Sequence, residues 1–176
     1  ELRGGGEQDA DDIARDLGRL SWRRDLDAGE VASLRELALA AASEYGKPEL
    51  GVYYVITALL QALDFLYIVE VGEPVAGAAV PSRALTRAEL ATRMSFFLLD
   101  RTPDSALLAA AEAGEIDDEA GLRATAEKLL LEPEAKQALD AYHGEIYRLD
   151  GLSKLSKNAE AFPLFDGALA EAMRES

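Results

Sequence analysis

The 176-residue chain has no cysteine, one histidine, one tryptophan and two methionines. Without cysteine it forms no disulfide, no thiolate metal site, no cysteine nucleophile and no covalent link to a c-type haem. The single histidine, His143 in AYHGEIY, has no second histidine to join it, and no aspartate or cysteine converges on it by spacing. That isolation fits a surface or core-edge residue better than a base or an axial haem ligand. Catalytic motifs are also missing. There is no Gly-x-Ser-x-Gly elbow. Gly4-Gly5-Gly6 is not a phosphate loop, because no strand precedes it and no Gly-Lys-Ser/Thr follows. The acidic clusters Asp25, Asp27, Glu30 and Asp117-Asp118-Glu119 lack calcium-loop spacing and stand at helix starts, where acids are expected anyway. No metal site and no resident cofactor are expected.

Positive charge is scarce as well. Lysine and arginine number 18 against 33 aspartates and glutamates, a formal net charge of −15. Such a field repels phosphate backbones and anionic lipid, so nucleic acid and membrane surfaces are poor partners. What the chain does have is apolar content: 49% hydrophobic against 29% charged residues, a composition that folds.

The periodicity is helical throughout. Glu1 to Gln8 reads as a flexible terminus and 9–72 as an N-terminal helical group. Asp9 to Leu26 places Ile13, Leu17, Leu20 and Trp22 inward. Asp27 and Glu30 form a capping box for a helix carrying Val31, Leu34, Leu37, Ala38 and Ala41, which stops near Gly46. Pro48 opens the most apolar run, LGVYYVITALLQALDFLYIVEV from Leu50 to Val71. Its apolar residues surround nearly the whole circumference, so the spacing predicts a central buried helix. Gln61, Asp64 and Glu70 interrupt the run and argue against a membrane span. The β-branched and aromatic residues of Phe65 to Val71 also allow a strand there.

A Gly-, Pro- and Ala-rich loop, 73–84, separates this group from a C-terminal one at 85–176, both expected within one compact domain. Thr86 and Glu89 make a second capping box, and Leu90, Met94, Phe97 and Leu98 share one helix face. Asp100-Arg101-Thr102-Pro103 is a sharp corner, with Pro103 opening the next helix and Thr102 as its cap. Asp104 then lies where the helix dipole favours an anion. Leu107, Leu108 and Ala111 face inward, and Gly114 is a left-handed stop. Asp117 caps a helix with Leu122, Ala126, Leu129 and Leu130 inward. Pro133 opens one with Leu139, Tyr142, Ile146 and Leu149, and a last helix runs from Pro163 to Arg174. The sum is an all-α fold, a bundle or orthogonal array of about eight helices.

Three segments carry a family resemblance. The first is LSWRRDLDAGEVASLRELALAAASEYG with ALLQALDFLYIVE, from Leu20 to Glu70. The second is RMSFFLLDRTPDSALLAAAEAGEI, from Arg93 to Ile116, and the third is FPLFDGALAEAMRES at the C-terminus. In this order they resemble the planctomycete and myxobacterial cytochrome-associated domains of unknown function, the PSD-type helical domains of large exported proteins. The sequence departs from that pattern at Ile68, Leu99, Asp100 and Arg101. The resemblance implies a periplasmic or exported location, a longer protein of which this is a piece, and c-type haem only in other domains. It implies no reaction.

Two charges beside apolar runs, Glu70 and Arg93, match family positions and are expected to form a buried structural ion pair. His143 and Asp104 are the remaining candidate functional residues. Tyr53, Tyr54, Phe65, Tyr67, Phe96 and Phe97 are expected in the core, with an apolar pocket as the alternative. The reading with the best support is a non-catalytic scaffold or interaction module that binds other domains or another protein. A share in an oxidoreductase or polymer-processing enzyme is the first alternative, and a small acidic inhibitor is the second.

Overall fold

The computed structural model describes residues 7–77, 79–155, 157–158 and 160–175. The expected flexible terminus falls outside these residues, apart from Glu7 and Gln8, which already begin the first helix. Among the described residues the chain is helical, with one minimal hairpin. In order it forms α1 (Glu7–Trp22), α2 (Ala28–Tyr45), α3 (Pro48–Gln61), the single turn α4 (Leu63–Leu66), β1 (Glu73–Pro74), β2 (Arg83–Ala84), α5 (Arg87–Leu99), α6 (Ser105–Glu112), α7 (Glu119–Leu129), α8 (Pro133–Ile146), a 3₁₀ turn (Leu149–Lys154) and α9 (Gly167–Glu175). β1 and β2 pair antiparallel, Glu73 opposite Ala84.

The start and stop signals explain most of these boundaries. Asp27 and Thr86 each close a reciprocal capping box: Asp27 Oδ1 accepts the Glu30 N–H at 2.8 Å, and the Glu30 carboxylate accepts the Asp27 N–H at 2.8 Å. Pro48 and Pro133 occupy the first turns of α3 and α8, where a missing N–H costs nothing. Gly46 and Gly114 take left-handed backbone angles, φ 62° and 81°.

Two expected caps are displaced by one or two residues. Asp104, not Thr102, caps α6, accepting the Leu107 N–H at 2.8 Å. Pro103 lies outside the helix with its ring fully buried. The corner is longer than the proline implied, because Asp100 ends α5 in the left-handed conformation at φ 50°. Asp118, not Asp117, caps α7 by accepting the Gly121 N–H at 2.8 Å, since Arg87 engages Asp117. Replacing Asp104 or Asp118 by alanine is expected to cost about 1 kcal/mol each. Thr102→Ala should leave the urea midpoint unchanged, and equal losses at Thr102 and Asp104 would contradict this assignment.

The expected central helix is the main correction. α3 ends at Gln61, and after the turn of α4 the chain leads to the hairpin as neither helix nor paired strand, with Tyr67 in the extended region (φ −128°, ψ 152°). Ala62 has extended angles (φ −68°, ψ 149°). The carbonyls that a continuing helix would use are taken by neighbours. Trp22 Nε1 donates to the Leu59 carbonyl at 3.2 Å, and the Arg23 guanidinium donates to those of Asp64 and Tyr67. Beyond that point Ile68, Val69 and Val71 favour extended backbone. α3 is also buried on one side only, by Gly51, Val55 and Leu59, while Tyr53, Ile56 and Leu60 face outward.

Burial falls into two clusters. Ala10, Ala14, Val31, Leu34, Ala38, Val55 and Leu59 join α1, α2 and α3. Ala91, Leu99, Leu107, Leu108, Ala111, Ile116, Leu129 and Ala135 join α5 to α8. The expected packing of the apolar run on α5 is therefore replaced by two separate cores. Several expected inward residues stay outside them: Leu17, Leu20, Leu130, Leu139, Tyr142 and Ile146 are exposed. No described helix is long and apolar enough to cross a membrane.

Candidate functional site

Between the two cores lies a polar seam, and its construction starts at the end of α1. Arg23 adopts φ 59°, a conformation that L-residues avoid. Its side chain is buried and holds the strain in place: the guanidinium donates to the carbonyls of Ser21 (3.3 Å), Asp64 and Tyr67 (2.8 Å) and lies 5.9 Å over the Phe96 ring of α5. Burial lowers the Arg23 pKa and Asp64 opposes that, yet an arginine so placed stays charged. Arg24 turns the other way, onto the Trp22 ring at 5.3 Å, and grips Glu30 at 2.8 and 2.9 Å and Asp64 at 3.1 Å. The hydrogen bond to Glu30 raises its pKa and lowers that of Glu30.

From the other side α5 supplies Glu89. As the third residue of its helix it accepts the Thr86 N–H at 2.7 Å. The same carboxylate also accepts the N–H groups of Val71 (2.6 Å) and Gly72 (2.9 Å). Burial by itself would raise the Glu89 pKa, but these backbone donors outweigh it, and the group titrates below the ordinary glutamate range. Arg83 of β2 donates to the Val71 and Gly72 carbonyls. Residues 67–72 thus form a strap held by both cores.

Glu70 and Arg93 do meet. Arg93 Nε donates to Glu70 Oε1 at 2.8 Å and a second guanidinium nitrogen donates to the other oxygen, which lowers the Glu70 pKa and raises that of Arg93. The pair is open to water rather than buried as expected, so removing one partner strands no buried charge. A second cross-seam pair links Arg19 of α1 to Glu112 of α6 at 2.7 Å.

The seam encloses a cleft of about 240 Å³ lined by Trp22, Arg23, Arg24, Asp64, Glu89 and Thr92 among others. Its charged side chains are committed to each other or to backbone, so what this arrangement does is clamp. His143 and Asp104 line no part of it. His143 is exposed on α8, with the Tyr142 ring 5.6 Å and the Tyr147 ring 5.9 Å away, while Asp104 serves as the α6 cap. Among the described residues no three histidines, aspartates or glutamates converge as a metal site would require.

The second feature is an open apolar groove of about 710 Å³ between α5 and α7, floored by Leu90, Met94, Phe97, Leu98, Leu122 and Leu130. These include the residues that periodicity marks as the inward faces of both helices. The core instead takes the neighbouring face of α5, Ala91, Thr92, Ser95 and Leu99, and Phe97 is left 83% exposed. The expected aromatic core does not form either, as Tyr53, Phe65, Tyr67 and Phe97 are all exposed.

Residues 85–176, the whole of the second core and its caps, match the family described as PSD4, protein of unknown function (DUF1592). The chain belongs to this family. The PSD4 match contains the second and third segments of the resemblance, whereas the first, Leu20 to Glu70, lies before it. No curated protein and no solved structure matches the chain. Sequence reasoning missed Arg23 and the second role of Glu89. The available signal was the Arg-Arg pair directly after Trp22, where a helix ends without glycine.

Proposed function

We propose that this PSD4-family chain is a non-catalytic helical interaction module whose working surface is apolar and uncovered. One observation carries the reading. The chain exposes 12228 Å², whereas a compact monomer of 18.9 kDa exposes about 8,300 Å². A contiguous part of that exposed surface is apolar and lies on α4 and the strap, where Leu63 (66%) and Tyr67 (63%) project beside Leu66, Ile68, Val69 and Val71. Patches of this kind mark binding surfaces. The occupant we infer is another domain of a longer protein, exported to the periplasm or beyond and associated with cytochromes, as the resemblance implies. Any haem belongs to those other domains: this chain has no cysteine to anchor one, and its only histidine is flanked by two tyrosines.

Amide hydrogen exchange of residues 63–71 tests this by comparing the chain alone with the full-length natural protein. Protection rising at least about tenfold in the longer protein is expected, since burying the strip removes solvent from its backbone. Equal exchange in both would overturn the reading. In the same full-length protein, alanine at Glu70, Arg93, Asp104 and His143 should leave any turnover unchanged, which separates this reading from a share in an enzyme.

A further inference from the structure

We propose that Tyr45 and Tyr54 form an oxidative cross-linking site, at which a one-electron oxidant of the peroxidase class joins the two rings in an intrachain dityrosine. The inference is independent of the interaction-module reading. Tyr45 is the last residue of α2, and Tyr54 lies in the second turn of α3. The connection between the helices is only Gly46, in the left-handed conformation, and Lys47, after which Pro48 opens α3. The helices also pack closely, for a Cβ on Gly51 would lie 2.6 Å from the Ala38 carbonyl oxygen. Backbone therefore holds the two rings in register. They lie 20° from parallel with centroids 6.2 Å apart, while their hydroxyl oxygens are 3.3 Å apart. Oxygens closer than centroids mean that the rings converge at their hydroxyl ends. The carbons ortho to the oxygens, where a tyrosyl radical carries reactive spin density, flank those ends. Tyr53 also touches Tyr54, but edge to face at 5.9 Å, and as a sequence neighbour it leaves the helix in a different direction. Tyr45 is exposed and Tyr54 half-buried, so an oxidant reaches the pair from solvent.

The chemistry balances with hydrogen peroxide as the terminal oxidant. Each phenol gives one electron to the oxidant and one proton to water, leaving a pair of phenoxyl radicals. A carbon–carbon bond then forms between the ring carbons ortho to the two oxygens. The hydrogen on each of these carbons leaves as a proton while each oxygen regains one, so both rings become phenols again. The pair loses two hydrogen atoms in all, and one hydrogen peroxide is reduced to two waters. Proximity favours this internal bond over coupling between chains. The net charge of −15 also keeps separate chains apart at low salt. Without cysteine the chain has no disulfide with which to fasten its helices. The tyrosine pair would fasten α2 to α3 with a bond that thiol reductants do not open.

The test treats the full 176-residue chain, dilute and at low salt, with a haem peroxidase and hydrogen peroxide. Dityrosine fluorescence follows the reaction, and chains that stay monomeric on a denaturing gel are digested with a glutamate-specific protease. Cleavage after Glu44 and Glu49 separates the two tyrosines. The bridge then shows in the mass spectrum as fragment 45–49 joined to the fragment that begins at Leu50, lighter than their sum by two hydrogens. That joined pair is the expected main product. Tyr45→Phe and Tyr54→Phe should each lower the dityrosine yield at least about tenfold with unchanged circular dichroism. Tyr53→Phe should leave the yield as it is in the parent. Full yield in Tyr45→Phe or Tyr54→Phe overturns the proposal, because the bond then lies elsewhere. So does dityrosine confined to covalent dimers, and so does a monomer that consumes peroxide while fragment 45–49 is recovered unjoined.

Discussion

Gly121→Ala is expected to lower the stability of the fold by about 3 kcal/mol or more, the upper end of what overpacking costs. A Cβ at this position would fall 1.9 Å from the carbonyl oxygen of Glu115, well inside contact distance. The obstacle is backbone, so it cannot swing aside as a side chain tip would. Both sides are also tied. The Gly121 N–H is held by the Asp118 cap, and the turn before it is closed by the Asp117 N–H donating to the Gly114 carbonyl. Gly51→Ala should show a milder form of the same effect, about 1–3 kcal/mol, because its added Cβ would lie 2.6 Å from the Ala38 carbonyl where α2 and α3 pack. Gly144 is the control. Nothing lies within 4 Å of a Cβ there, so Gly144→Ala in α8 should stabilise by about 0.5–1 kcal/mol through helix propensity. Urea midpoints at constant m-value read all three, and a Gly121→Ala midpoint indistinguishable from the parent would refute the close approach.

The second large effect is expected at Glu89. Removing its carboxylate in Glu89→Ala leaves the Thr86, Val71 and Gly72 N–H groups without their acceptor, a loss of about 2–4 kcal/mol for hydrogen bonds to a charged group. Glu89→Gln keeps an acceptor but not the charge and should fall between. The pH dependence has a definite sign. The folded pKa lies below the ordinary glutamate value, so the unfolded chain binds the proton first as pH falls. The stabilisation is therefore fully present above about pH 5 and fades as pH drops from about 4.3 through the folded pKa. Glu30, Glu70 and Asp117, lowered by Arg24, Arg93 and Arg87 respectively, add to the same trend. Thermal melts of the parent should steepen their decline with acid in this window, and Glu89→Gln should decline less. Parallel curves for the two proteins would show that Glu89 does not contribute.

Local chemistry explains why some of this was legible in the sequence. A capping box is a contract between residues three apart, so Asp27 with Glu30 and Thr86 with Glu89 can be read without knowing the fold. The same holds for the prolines of α3 and α8 and for the glycine stops at Gly46 and Gly114. Errors begin where the deciding partner is remote. Asp117 and Asp118 are equally good caps until Arg87, thirty residues away, engages the first. The helix through Leu50 to Val71 is locally sound, and only the donors on Trp22 and Arg23 show why it stops at Gln61. Periodicity located the apolar faces of α5, α7 and α8 correctly as apolar, but it carries no information on whether an apolar face finds a partner within its own chain. Glu70 and Arg93 were paired rightly, and their exposure was misjudged because the strand of residues around Glu70 stays at the surface.

The strap has a consequence of another kind. Its contacts with Arg23, Glu89 and Arg83 are made to main-chain carbonyl and amide groups of residues 64, 67, 71 and 72. Main-chain groups are the same in every amino acid but proline, which lacks the N–H. Only Glu70, bonded to Arg93, and Gly72, whose φ of 64° and 2.5 Å approach to the Ala84 carbonyl exclude a side chain, are tied to their identity. Positions 67, 68, 69 and 71 can therefore drift in sequence while the path of the chain stays fixed, so that relatives sharing this frame can display different side chains from an unchanged mount.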